Sequence, residues 1–372
     1  MNSLACLTRR FLQASYCFWA LVPLPSLAKK YSFIAFIALR FIWILYLSYM
    51  LSRGFVFLYT AKKIISAFVG TFLFLGNNFV GLLLIFESIL KRNVHYHLET
   101  LRLQSELLLQ RLGMSRGRRI VSFRLLGLIS LQLVCDAIRT WANHEIHINP
   151  IHGLSMPMIW LLRIRYIQLL QHVMDLNQRS VQLRCSLLAL ASGNELWQPY
   201  GLQECRQLQT LRLSYERIFE CYEVFSDCYG WGILGLQLIT GFEFVSNAYW
   251  MLEAWMSGNI VVMVFIYNAV TTLSMGSLII ALFWYGDAGA ENGRQIGCLI
   301  SKLIKPLGSK RYNNLVCEFS LQTLHQRFVI TAKDFFSLNL HLLSSMFAAV
   351  VTYLVILIQF MFAESTLRVK DN

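Results

Sequence analysis

Seven stretches of this chain are so long and so apolar that water cannot be their main solvent. Windows near the roughly 20 residues that cross a bilayer occur at about 31–51 (YSFIAFIALRFIWILYLSYML), 64–90, 121–142, 153–174, 230–255, 259–285 and 337–362. The third and fourth are the weakest, because Arg124, Asp136, Arg139, Arg163 and Arg165 interrupt them. Charged residues make up 14% of the 372 residues, against about 25% in soluble domains. The sequence therefore predicts an all-α membrane protein with seven transmembrane helices.

The charges that do occur are unevenly spread. With the seven spans taken in order, the N-terminal segment and the loops 91–120, 175–229 and 286–336 carry 23 Lys and Arg, whereas the opposite side carries five: Arg53, Lys62, Lys63, Arg368 and Lys370. The excess of basic residues marks the cytosolic side, so the N-terminus is expected inside and the C-terminus outside. The net charge of +13 is thereby spent on orientation, and no nucleic-acid partner is predicted. The beginning of the chain competes with this reading, since LTRR, an apolar FLQASYCFWALVPL and then SLA resemble a secretory leader cleaved after Ala28. Cleavage would turn the basic loops outward, against the charge count. Pro23 and Pro25 more simply end a membrane-associated segment ahead of the first span. The nine cysteines include no CxxC pair and none falls in an expected outside loop, so free thiols are expected rather than a disulfide framework or a zinc site.

Little folded mass is expected outside, where the loops cover about 52–63, 143–152 and the residues around 257–259. Inside, 92–112 gathers Leu98, Leu101, Leu108 and Leu112 near one helical face, and 203–225 repeats the pattern with Leu208, Leu211, Ile218, Tyr222 and Phe225. Both read as helices that run from the spans into the cytosol and pack there. LASGNELWQPYG has the composition of a loop, and GDAGAENGRQIG (286–297) reads as a flexible exit from the sixth span.

Catalytic chemistry finds no support. There is no nucleophile motif, Walker loop or dinucleotide fingerprint, no cofactor is implied, and the chain is not expected to be an enzyme. His95 and His97 lie two apart and so point to different helical faces. His144, His147 and His152 lack a cysteine or an HExxH arrangement, which favours structural or interfacial roles over metal. Polar residues inside the spans are the remaining signal, because each is costly in lipid: Asn77, Asn78, Gln132, Asp136, Arg139, Arg163, Arg165, Glu243, Asn247, Asn268 and the pair Thr271 and Thr272. Asp136 and Arg139 can pair along one helix. Glu243 has no basic neighbour in sequence and needs a partner from another helix or from a ligand. In the last span Thr352, Val355, Ile356 and Gln359 share one stripe; such a stripe either lies in lipid with Gln359 snorkelling to the surface or lines a pore shared by several subunits.

The stretch TYLVILIQF (352–360) resembles the signature ending of the insect gustatory receptor family, T-Y, five apolar residues, then Q-F. Upstream, EFSLQTLHQRFVITAKDFFSLNLHLLSS is similar to the family's approach to its last helix, with Thr331, Ala332, Phe336, Leu338 and Asn339 at their expected places and Lys333-Asp334 where Cys-Gly is common. FWALVPLP is weakly similar to the family's opening segment.

The resemblance implies a chemosensory, ligand-gated, non-selective cation channel of four identical or related subunits, held in the plasma membrane of a taste neuron and opened by a small-molecule tastant. It implies a membrane-associated segment at 1–30, a receptor body at 31–336, a pore-lining helix at 337–363 and a short outer tail at 364–372. Gln359 and Phe360 would form the outer gate, with Thr352, Val355 and Ile356 below it. The ligand would bind in the outer halves of the other spans, where Trp141, His144, Trp160, Phe242, Glu243, Asn247, Trp250, Tyr267 and Asn268 offer aromatic walls and a few directing polar groups. The rivals are a related odorant receptor subunit, a G-protein-coupled type of chemoreceptor, which the orientation and the absence of D-R-Y and N-P-x-x-Y motifs disfavour, and a transporter, which would need broken helices in two matching halves.

Overall fold

The computed structural model describes residues 2–22, 30–60, 64–113, 118–145, 150–192, 202–256, 262–303 and 310–370. Ten helices follow one another among these residues: α1 (Asn2–Phe18), α2 (Lys30–Thr60), α3 (Ile64–Leu90), α4 (Arg92–Arg111), α5 (Arg118–Glu145), α6 (Pro150–Ser192), α7 (Leu202–Met256), α8 (Val262–Ser301), α9 (Lys310–His325) and α10 (Leu340–Lys370). The expected spans fall on α2, α3, α5, α6, α7, α8 and α10, and the first expected cytosolic helix is α4. The second is the first half of α7, a single helix of 55 residues that at 1.5 Å per residue runs about 80 Å.

Five of the seven are long and apolar enough to cross a membrane by length and composition: α2, α3, α5, α8 and α10. The other two, α6 and α7, carry more charge for a physical reason. α6 packs against α1, α3, α4, α5, α7 and α8, and every residue from 161 to 170 is buried. A helix walled in by other helices meets protein rather than acyl chains, so it can carry Arg163 and Arg165 provided they are paired. The main core joins α4, α6, α7, α8 and α9 through Leu101, Leu170, Tyr222, Phe283 and Phe319. A smaller cluster of Trp43, Leu47, Ile85 and Met158 ties α2 and α3 to α6.

Several expected loops are helical. α2 continues to Thr60, so most of 52–63 belongs to the first span helix, where Gly54 lets Phe74 and Leu75 of α3 approach closely. The segment 286–297 is also helix rather than a flexible exit: α8 runs unbroken to Ser301. A Cβ at Gly286 would meet the Leu338 carbonyl oxygen at 2.8 Å, and one at Gly293 would meet the Phe328 ring at 3.2 Å. These glycines are packing surface, not hinges. α10 runs to Lys370, so 364–370, expected as a tail, is helical. The remainder of the outer loops (61–63, 146–149 and 257–261), the segment 23–29 that contains Ala28, and residues 193–201 lie outside the described residues. Cys17, Cys135, Cys185, Cys205, Cys221, Cys228, Cys298 and Cys317 are free thiols.

Candidate ligand site and pore helix

Two buried arginines of α6, two residues apart, serve different ends. Arg165 is fully buried: it donates to Glu87 of α3 at 2.6 Å and to Gln168 at 2.9 Å, its guanidinium lies 4.6 Å from the centre of the Tyr229 ring, and its Nε has no hydrogen-bond partner among the described residues. Glu87 in turn accepts the backbone N–H of Gly232 on α7 at 2.9 Å. Charge, hydrogen bonds and a ring face tie this network together, which marks it as the clasp of α3, α6 and α7.

Arg163 faces the opposite arrangement. It pairs with Asp136 of α5, whose same oxygen sits 3.1 Å from Arg139, and Arg139 also reaches the sulfur of Met156 at 3.3 Å. The expected pairing of Asp136 with Arg139 is therefore present, but shared with a second cation. Glu243 of α7 is buried, and it and Tyr267 of α8 stand within electrostatic reach of both guanidiniums. Four helices thus bring ionisable groups to one place, toward the bundle end where α5 meets α6 and α7 meets α8.

The other expected ligand residues divide by exposure. Asn247 and Asn268 are buried and join α7 to α8: Asn247 donates to the Thr272 hydroxyl at 3.4 Å, and that hydroxyl donates to the Asn268 carbonyl at 2.8 Å. Trp160 packs half-buried against the core, and half-buried Trp250 stands edge-on to Tyr249 at 5.4 Å. Phe242, beside Glu243 in sequence, turns outward against Phe72 at 4.7 Å and is 45% exposed. Trp141 and His144 are exposed on the last turns of α5. Glu243 and Tyr267 are the expected ligand residues on which buried charge acts, and the arginines that supply it, Arg139 and Arg163, are absent from the expected ligand set. Two arginines in weak spans were the available signal, since an ionisable residue in a membrane helix is a functional candidate by default.

α10 differs from every other apolar helix. No residue of its Leu340–Phe360 span is buried, against 22% to 39% of the other four. Its first turns, Leu340, Leu342, Leu343 and Met346, lean on the main core beside α7 and α8; beyond them Thr352, Val355, Ile356, Gln359 and Phe360 are all exposed.

The lead-in to α10 is by contrast firmly held. Phe328, Ile330, Ala332 and Leu338 are buried, and the turn closes through Ala332 N–H to Phe336 O at 2.9 Å and Leu338 N–H to Ile330 O at 2.9 Å. Lys333 and Asp334 both adopt left-handed backbone, with φ of 49° and 60°, so the turn forms without the family's glycine. Lys333 offsets that conformation by an ion pair with Asp227 of α7, which also takes Lys91, between α3 and α4, at 2.9 Å. The hydrogen bonds from Lys333 and then Lys91 hold the Asp227 carboxyl below the usual carboxylate range.

Comparison with known proteins agrees with this architecture. Insect olfactory receptor OR5 from Machilis hrabei is similar in fold, with TM-score 0.68 at 12% identity over 96% of this chain and 99% of that one. The same receptor solved in complex with eugenol gives TM-score 0.63 at 14% identity over the same shares. In sequence, the chain is 42% identical to gustatory receptor 23a of Drosophila melanogaster over 245 residues, 62% of this chain and 63% of that protein. It is 26% identical to putative gustatory receptor 2a of the same species over 60% of this chain and 59% of that protein. The matches thus span about three fifths of these relatives' length. The 7tm Chemosensory receptor family model matches residues 25–364, and with seven span helices placed on this fold, the chain belongs to the 7tm chemosensory receptor family, as a multi-pass membrane protein related to insect gustatory receptors.

Proposed function

We propose that this protein is a gustatory receptor subunit of a ligand-gated cation channel in the plasma membrane of a taste neuron, with its N-terminus cytosolic, opened by a small-molecule tastant. One observation carries the reading: the Leu340–Phe360 stretch of α10 has the highest hydropathy of the five apolar spans, yet none of its residues is buried within its own protomer. Lipid alone would accept such a helix, but it would not require Gln359 on the same stripe as Thr352, Val355 and Ile356. Several copies of α10 around an axis give each face of the helix a use. One face meets lipid or a neighbouring subunit, and the stripe meets permeant ions, with Gln359 amide oxygens contacting a partly hydrated cation and Phe360 excluding water when closed. A tetramer of identical or related chains is the assembly we infer.

The receptor body, 31–336, then holds the ligand, and the lead-in clasp of Lys333, Asp227 and Lys91 is the rigid joint through which its movement reaches 337–363. For binding to open the pore, the ligand must favour the open arrangement. The test is recording from cells that express the chain, alone and with related receptors, against a compound panel. Gln359→Ala is expected to change ion permeability or gating while surface expression is kept. Loss of expression together with unchanged conductance in the surviving channels contradicts the pore assignment. An N-terminal tag labelled on intact cells would contradict the orientation.

A further inference from the structure

The cluster between α5, α6, α7 and α8 contains buried charge that the protein leaves unmatched. Arg139 and Arg163 are each 1% exposed, and both turn to one oxygen of Asp136. Nε and Nη1 of Arg139, Nε and Nη2 of Arg163, and Oδ2 of Asp136 have no hydrogen-bond partner among the described residues. Glu243, 7% exposed, feels both guanidiniums but pairs with neither among the described residues. The formal charges of the four residues cancel, yet Asp136 takes both arginines and Glu243 takes neither. Unclaimed guanidinium N–H groups remain, and so does an unclaimed carboxylate.

Buried polar groups in native proteins are nearly always satisfied, so a group of orphans in one place needs a cause. In the Arg165 network, two residues along the same helix, both terminal guanidinium nitrogens and both Glu87 oxygens are claimed and the Arg165 Nε is left over, whereas the Arg139, Arg163 and Asp136 group leaves five atoms over. A guanidinium edge presents parallel N–H groups that match a planar carboxylate, and a carboxylate accepts from an ammonium. A simple anion would meet the unpaired Glu243, and a simple cation would meet two arginines. A molecule that carries both charges meets a partner at each end.

We propose that Arg139, Arg163 and Glu243 form the recognition site for a small zwitterion of the α-amino acid type, its carboxylate on the free Nε–Nη2 edge of Arg163 and the unclaimed N–H groups of Arg139, and its ammonium at Glu243. This deepens the ligand-gated reading and rests on it for the consequence of binding, though not for the binding itself. Arg139 and Arg163 act as the carboxylate anchors, Asp136 fixes their positions, and Glu243 selects for the amino group.

The test is a binding measurement that needs no current. The thermal unfolding midpoint of the full-length protein, purified in detergent, is followed against each of the twenty protein L-amino acids. For every amino acid that acts, its carboxamide and its deaminated acid are compared. The expected result is a saturable rise with at least one amino acid, at a concentration at least tenfold lower than either analogue requires. Glu243→Gln is expected to abolish the preference over the deaminated acid while the preference over the amide persists, and Arg163→Lys to weaken the amino acid at least tenfold. The wild-type comparison stands even if a variant fails to fold. A shift with none of the twenty, as expected if water alone satisfies the arginines, overturns the proposal, and so does an amide that acts as well as its acid. An amino acid that binds without evoking current upholds the site and counts against the channel; currents evoked only by compounds lacking one of the two charges uphold the channel and overturn the site.

Discussion

His95 illustrates how far surroundings move a single residue from its free behaviour. It was expected on a different face from His97, and it lies buried on α4 with its ring perpendicular to Tyr229 at 4.9 Å, while His97 is exposed. Burial first, then the positive charges of Arg165, Arg102 and Arg40, pull its pKa down to about 3. The folded protein therefore keeps this imidazole neutral while the unfolded chain takes up a proton below about pH 6.5. The stability this confers is whole above that value and is lost as pH falls toward the folded pKa. The unfolding midpoint should drop between pH 7.5 and pH 5, and His95→Phe should reduce that slope. Asp136 supplies a second residue-scale prediction. Replacing it with Asn leaves two buried guanidiniums without their shared counter-ion and should cost about 3–5 kcal/mol in thermal unfolding. Its pairing with Arg139 was legible because both sit on one helix three residues apart. The pairing with Arg163, and the whole clasp of Glu87 with Arg165, was not, since spacing along a chain says nothing of which helices meet.

Among the elements, the periodic ones were read most closely from sequence: the window 64–90 coincides with α3, and 92–112 differs from α4 by one residue. The glycine-rich end of α8 misled for a physical reason. Glycine lowers helix propensity by about 1 kcal/mol relative to alanine, and only tertiary contact reveals that its missing side chain is what the packing uses. Gly286 abuts a backbone oxygen of the α10 lead-in, which cannot rotate away as a side chain would. Gly286→Ala should therefore destabilise by about 1–3 kcal/mol, read as a lower unfolding midpoint. Gly276→Ala, where a Cβ meets nothing within 4 Å, should be neutral or stabilise by up to about 1 kcal/mol. An equal effect at both sites would mean that the α8 contact with the lead-in is not tight.

At the scale of the whole molecule, a well-packed body of long helices carries one apolar helix that the body covers only along its first turns. The number of spans was legible because lipid imposes a length on every crossing helix. The lack of cover on α10 was not, because hydropathy records what a helix tolerates rather than what touches it. The central claim is that a stripe of α10 meets water and ions within an assembly. The most direct measurement is cysteine substitution one residue at a time from 349 to 360, with the rate of modification by a charged, membrane-impermeant thiol reagent recorded in functioning channels. Fast modification at 352, 355, 356 and 359, dependent on the activating compound and blocking current, with slow modification at 351, 354 and 358, is the predicted result. Uniformly slow modification across all twelve positions, with current unaffected, would place the helix wholly in lipid or dry protein contact and contradict the account.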